Sequence, residues 1–270
     1  MSIGVVAHRG SSAELPEHTL AAYERALLQG ADALECDVRL TRDGHLVCVH
    51  DRRVDRTSTG HGVVSGMTLQ RLAELDYGSW HDPFPETADA LVAERDRGLP
   101  DPEEPAGVQR LLTLTLLLDL VTAHPGARLF VETKHPVRYG GLVEAKVLAE
   151  LHRFGLARPA DPVEATALVM SFSASAVWRV RRSAPKLPTV LLGRSAAALV
   201  VVPGSTAIGP KIDVIREDPD IVRRATAQGR DTYTWTVDSA EDVALCRELG
   251  VRWVATNHPL AVRGWLGPAG

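Results

Sequence analysis

The chain holds only three cysteines, Cys36, Cys48 and Cys246, in apolar runs and without a Cys-x-x-Cys spacing. That excludes a disulfide framework and a thiolate zinc site, and it suits buried thiols in a reducing compartment. Basic excess is also missing. A formal charge of −4 and a pI near 6.2 remove the field that would hold a nucleic acid or an anionic membrane surface. The longest uncharged stretch, 195–210, carries Pro203, Gly204, Ser205 and Gly209. It falls short of the about 20 apolar residues a membrane span needs, so no stable membrane insertion is expected. No basic and then apolar leader follows Met1, and the expected location is cytoplasmic. No Gly-x-Gly-x-x-Gly follows the first strand, which argues against a dinucleotide-binding fold. Ser171 lacks a Gly-x-Ser-x-Gly elbow, which argues against a serine hydrolase.

What is present is an alternation of strands and helices. Short apolar runs at 3–7, 31–40, 128–132, 167–171, 188–192, 206–209, 232–237 and 252–255 read as eight strands. Helical spacing lies between most of them, at 19–29, 111–123, 142–154, 174–183, 219–228 and 240–249. Eight such units in 270 residues predict an α/β protein, a (β/α)8 TIM barrel forming a single domain over 1–270. The turn Asp43-Gly44 and the run after it, ending at His50, read as a hairpin-like extension of the second strand. Residues 51–109, rich in Pro, Gly and charge, read as an inserted segment after the second strand region that caps the mouth. The apolar run Leu111 to Val121 suits core and a homodimer interface equally.

In such a barrel the active site lies at the C-terminal strand ends. Those ends here carry His8 with Arg9, Glu35 with Asp37, His50, and Glu132 with Lys134. Alternation puts Glu35 and Asp37 on one face of their strand. Three carboxylates without a cysteine suit one hard divalent cation, Mg²⁺, Ca²⁺ or Mn²⁺; the plainer reading is that each pairs with an arginine. His8 and His50 each follow an apolar run and titrate in the range that serves proton transfer. Arg9 offers a planar fork for an anion, and Lys134, one of only four lysines, offers a point charge beside Glu132. Together these groups suit a phosphodiester. Trp80, Trp178, Trp253 and Trp265 read as packing.

The segments His8-Arg9-Gly10, Pro16-Glu17-His18-Thr19, Glu35-Cys36-Asp37-Val38, Val49-His50-Asp51, Arg56-Thr57, Glu132-Thr133-Lys134 and Trp235-Thr236-Val237 resemble the glycerophosphodiester phosphodiesterase family, almost end to end and in order. The resemblance implies a TIM barrel that hydrolyses diesters such as glycerophosphocholine, glycerophosphoethanolamine or glycerophosphoglycerol to sn-glycerol 3-phosphate and an alcohol. By position it implies Glu35, Asp37 and Glu132 as metal ligands and His8 and His50 as the acid-base pair. Arg9 and Lys134 correspond to phosphate contacts and Trp235 to the glycerol wall. Arg9 is thus expected to face substrate phosphate rather than a carboxylate. Two alternatives remain at this level: a phospholipase-D-like or lyase activity on lysophospholipids, and a catalytically silent phosphate-binding module. Attack by water and attack by the glycerol 2-hydroxyl are likewise both open. The chain departs from the family pattern at His18, Asp238 and Asn257, where Asn, Asn and Asp are usual.

Overall fold

The computed structural model describes residues 3–81, 109–137, 140–200 and 204–267; the stretch 82–108 of the expected insertion lies outside them. Nine strands form: β1 (Gly4–His8), β2 (Ala33–Leu40), β3 (Leu46–Cys48), β4 (Arg128–Thr133), β5 (Ala167–Ser171), β6 (Thr189–Gly193), β7 (Ala207–Pro210), β8 (Asp231–Thr234) and β9 (Trp253–Thr256). All but β3 are parallel, in the ring order β1-β2-β4-β5-β6-β7-β8-β9, and Val5↔Val254 pairing closes β9 onto β1. The eight-stranded barrel expected from alternation is therefore present. β3 lies outside the ring, antiparallel to the end of β2, with Arg39 opposite Val47.

Period-2 geometry sorts β2 into two faces. Ala33 points into the barrel with Val6, Phe130, Met170, Tyr233 and Trp253, and Phe130 packs 5.2 Å from Tyr233 and 5.4 Å from Trp253. Leu34, Cys36 and Val38 point outward onto Leu117, Leu118, Val143 and Val147 of the surrounding helices. Each such fully buried aliphatic stabilises the fold by roughly 1.5–3 kcal/mol. The interior below the site is thus a packed apolar floor.

Hydroxyl caps set where several helices begin. Thr19, Thr113, Ser173 and Ser239 each accept a backbone N–H three residues on, starting the helices Leu20–Leu28, Leu114–Thr122, Ala174–Ser183 and Ala240–Leu249. A cap of this kind contributes about 1 kcal/mol. Thr113 explains why the helix expected from residue 111 begins at Leu114. The strand expected over 232–237 stops at Thr234, which releases Trp235 toward the barrel mouth. A short helix, Ile212–Glu217, was not anticipated. Trp253 packs in the barrel, but Trp178 and Trp265 are 56% and 39% exposed, so those two do not pack as expected.

The described part of the 51–109 segment forms a small apolar cluster of its own, Val54, Val64, Leu72, Leu75 and Tyr77, closed against Val47 and Val49. Among the described residues no helix is long and apolar enough to cross a membrane.

Candidate active site

The same alternation that turns Leu34, Cys36 and Val38 outward turns Glu35 and Asp37 inward, above the apolar floor. The β2–β4 register sets Asp37 opposite Glu132. One carboxylate oxygen from each of Glu35, Asp37 and Glu132 lies within 4.8 Å of the others, and all three residues are buried. His8 ends β1 opposite Glu35. The chain then turns sharply: Arg9 takes φ 61° and Gly10 φ 87°. A Cβ on Gly10 would sit 2.7 Å from the Ala22 backbone, so only glycine lets the helix Leu20–Leu28 approach this closely. His18, also at φ 61°, donates its N–H to the Arg9 carbonyl at 3.1 Å. Left-handed backbone costs roughly 1–2 kcal/mol per non-glycine residue. Here it occurs at two residues that both contact Asp37, and such strain concentrates where function requires a set geometry.

Three buried acids cannot all carry charge without compensation. Burial and the neighbouring Asp37 push Glu35 well above the usual carboxylate range. The same two causes push Glu132 up to about 8. Burial also opposes ionisation of Asp37, but Lys134, Arg9 and the hydrogen bond from His18 hold it well below its ordinary value. The Lys134 ammonium lies 2.7 Å from Glu132 and 3.0 Å from Asp37. Arg9 Nε lies 3.0 Å from Asp37 Oδ2, an ion-pair contact off the N–H axis, and Nη1 donates to Glu17 at 3.2 Å. This corrects the expectation that Arg9 faces no carboxylate: its fork rests on two. The donor set fits a divalent cation. Three carboxylates against Arg9 and Lys134 leave one negative charge, which a divalent ion reverses and a phosphodiester then neutralises.

His8 and His50 have different settings. His8 Nδ1 lies 2.8 Å from Asn257 Oδ1. Asn257 presents that oxygen because its Nδ2 donates to Asp238 Oδ2 at 2.8 Å, while its backbone N–H and Thr256 Oγ1 both donate to Asp238 Oδ1. An amide oxygen only accepts, so His8 Nδ1 carries the proton and Nε2 is left as an acceptor. Burial, then Arg9, lowers the His8 pKa to about 4, which keeps the ring neutral near pH 7. His50 Nδ1 instead lies 2.6 Å from the Asp51 carboxylate, which Arg56 also binds. Burial lowers His50 as well, with Asp37 and the Asp51 contact opposing.

The structure brings His8, Arg9, Glu35, His50, Glu132, Lys134 and Trp235 around one pocket, with Asp37 beneath it. Trp235 is half-buried, donates its indole N–H to the Gly209 carbonyl at 3.0 Å and meets Phe172 edge-on at 5.4 Å. Sequence reasoning assigned no role to His18, Glu17, Arg56, Asp238 or Asn257. His18 bridges Asp37 at 3.0 Å and Tyr23 at 2.8 Å. Glu17 joins Arg9 to Arg56. The departures at 238 and 257 prove to be hydrogen-bonded partners, a reciprocal exchange of acid and amide that a comparison of the two positions together would have signalled.

The model of the glycerophosphoryl diester phosphodiesterase family matches residues 8–261. The chain belongs to this family. It is an enzyme, a phosphodiesterase by descent. A Mycobacterium tuberculosis relative named Probable glycerophosphodiester phosphodiesterase 1 is 56% identical over 269 residues, covering 97% of this chain and 92% of that protein. The crystal structure of a glycerophosphodiester phosphodiesterase from Agrobacterium tumefaciens superposes with a TM-score of 0.71 at 26% identity, over 96% of this chain and 98% of that one. A phosphodiesterase from Oleispira antarctica, in complex with the product sn-glycerol-3-phosphate, shares the fold at a TM-score of 0.77 and 21% identity, over 97% and 96% of the two chains.

Proposed function

We propose that this phosphodiesterase hydrolyses glycerophosphodiesters, among them glycerophosphocholine, glycerophosphoethanolamine and glycerophosphoglycerol, to sn-glycerol 3-phosphate and an alcohol. The observation that carries the reading is the convergence of three buried carboxylates between two differently prepared histidines. Glu35, Asp37 and Glu132 hold one divalent cation, Mg²⁺, Ca²⁺ or Mn²⁺. When bound, that cation supplies positive charge against the phosphoryl oxygens. The Arg9 fork and the Lys134 ammonium bind the same oxygens, trading their contacts with Asp37, Glu17 and Glu132 for the substrate. His8, neutral and with Nε2 free, takes the proton from the attacking oxygen. His50, its Nδ1–H held by Asp51, delivers a proton from Nε2 to the leaving alcohol. Trp235 and Phe172 exclude water from the glycerol side.

The three buried thiols fit a reducing, cytoplasmic setting. Within a single 1–270 domain, the described start of the 51–109 segment, Asp51 and Arg52 at the pocket edge, shapes which alcohol fits. Release of sn-glycerol 3-phosphate from glycerophosphoglycerol tests the reading. Turnover is expected to vanish on chelation and to return with Mg²⁺, Ca²⁺ or Mn²⁺, and no turnover with any of the three would overturn it.

A further inference from the structure

A second cavity of about 430 Å³ adjoins the catalytic pocket and shares its His50, Glu132, Lys134, Phe172 and Arg194 wall. Two further guanidiniums, Arg39 and Arg52, face it, so that three arginines border the cavity in all. Among the described residues none of these three takes part in an ion pair, whereas the nearby Arg9, Arg53 and Arg56 each hold a carboxylate. The acids on this wall are already engaged: Asp51 by His50 and Arg56, Glu132 by Lys134. Arg39 is half-buried behind β2 and uses Nε and Nη2 on the His50 carbonyl, at 3.0 and 2.7 Å, leaving Nη1 without a protein acceptor. Arg194 lies 5.5 Å over the Phe172 ring, which holds its guanidinium near the pocket. Arg52 is exposed at the rim.

We infer that this cavity is a subsite for an anionic group, a phosphate monoester or carboxylate, carried by the leaving alcohol of the substrate. The inference rests on the phosphodiesterase reading and deepens it. His50 stands on the wall shared by the two pockets, so an alcohol receiving its proton leaves into the cationic side. Three guanidiniums without carboxylates match a doubly charged oxyanion by charge and by their planar donor forks. They oppose a quaternary ammonium by like-charge repulsion, so the cavity discriminates among head groups both by attraction and by rejection. The face of the catalytic pocket away from this cavity, Met170, Tyr233 and Trp235, has no charge to make this distinction.

The test compares kcat/KM, with the same metal throughout, for three substrates: glycerophosphoglycerol phosphate, glycerophosphoglycerol and glycerophosphocholine. At low salt the phosphorylated diester is expected to exceed the neutral one about tenfold and the choline diester to fall below both. Salt at about 0.5 M is expected to compress the spread, because exposed charges are screened. In the double variant Arg52→Ser, Arg194→Ser the ratio of phosphorylated to neutral substrate is expected to drop toward one. Arg39 is left in place because it holds His50. A wild-type ratio of one or less, or a ratio unchanged in the double variant, overturns the inference while leaving the phosphodiesterase reading intact. Absence of turnover on all three substrates overturns both.

Discussion

The two halves of the barrel mouth are built from different materials. Over β1, β2 and β4 stand His8, Glu35, Asp37, Glu132 and Lys134, each held by an ion pair or hydrogen bond, Lys134 to Asp37 and Glu132, His8 to Asn257 and Glu35 to the Arg9 backbone. Over β5, β6 and β8 stand Met170, Phe172, Leu192, Tyr233 and Trp235, held by ring contacts and one indole hydrogen bond, with the single cation Arg194 over the Phe172 ring at their edge. The first half stores electrostatic tension: like charges are buried together and kept there by cations. The second half stores none. On the function proposed above, a phosphate lies against the first and a glycerol backbone against the second, and the asymmetry would orient a diester before any chemistry begins.

The sharpest way to break the comparison is to remove a ligand from the charged half. Glu35→Ala is expected to reduce metal-dependent turnover to background, and to abolish any rise in Tm that Ca²⁺ or Mn²⁺ confers on the parent protein in a thermal melt. His50→Ala removes a proton donor and spares the acids. It should lower kcat by about 10² or more while the metal-induced rise in Tm survives; loss of both would show that His50 also supports the ligands.

A subtler change stays within the hydrogen-bonded network. The double exchange Asp238→Asn, Asn257→Asp sets a carboxylate against His8 Nδ1 in place of an amide. That raises the pKa of His8 from about 4 toward or above its ordinary value. Since the base must be neutral, the acidic limb of kcat/KM moves upward in pH. If the pKa returned to about 6.5, activity at pH 5.5 would fall to roughly a tenth. An unmoved acidic limb would detach His8 from the base role.

On the apolar half, effects should be smaller and fall on binding. Trp235→Ala is expected to raise KM several-fold, with kcat changed by less than about threefold, because the ring contributes packing of about 1 kcal/mol and no charge. A larger effect on kcat than on KM would mean that the wall positions the reacting groups. Behind the charged half, Glu144 is buried and accepts from His135 at 2.8 Å and Arg179 at 2.9 Å. Burial opposes its ionisation, yet these two partners lower its pKa to about 2. The folded value lies below the ordinary 4.5, so its stabilisation is present above pH 4.5 and is lost as pH falls toward 2. Glu144→Gln should cost about 1–3 kcal/mol at pH 7 and flatten acid unfolding in that window, read by denaturant titration across pH.

The ring of strands was legible because buried parallel strands are short apolar runs, and the carboxylates were legible because alternation in β2 is read directly from residue order. The helix Ile212–Glu217 was not, being six residues wedged between a strand and the helix Asp220–Ala227 with no cap signal; its preceding Lys211 makes no side-chain cap. The supports of the site were hidden for another reason. His18, Glu17 and Arg56 meet Arg9 and Asp37 only because the backbone turns through left-handed conformations at Arg9 and His18, which residue types other than glycine do not announce. Asp238 and Asn257 lie 19 residues apart on loops after different strands, so their partnership needs the barrel to exist first. Arg9 was legible as a cation but not in its contacts, because Glu17 and Asp37 reach it only once the chain has turned at Arg9 and His18.

The strand outside the ring has a consequence for how this enzyme can diversify. β1 stops at His8 while β2 runs on to Leu40, and β3 takes up that protruding end, with Val49 N–H donating to the Asp37 carbonyl and Arg39 gripping the His50 carbonyl. His50 and Asp37 are therefore clamped together before the chain departs at Asp51. Arg52, the next residue on, leaves from a fixed mount, so an exchange there would alter the lining of the second cavity while the groups behind it keep their spacing.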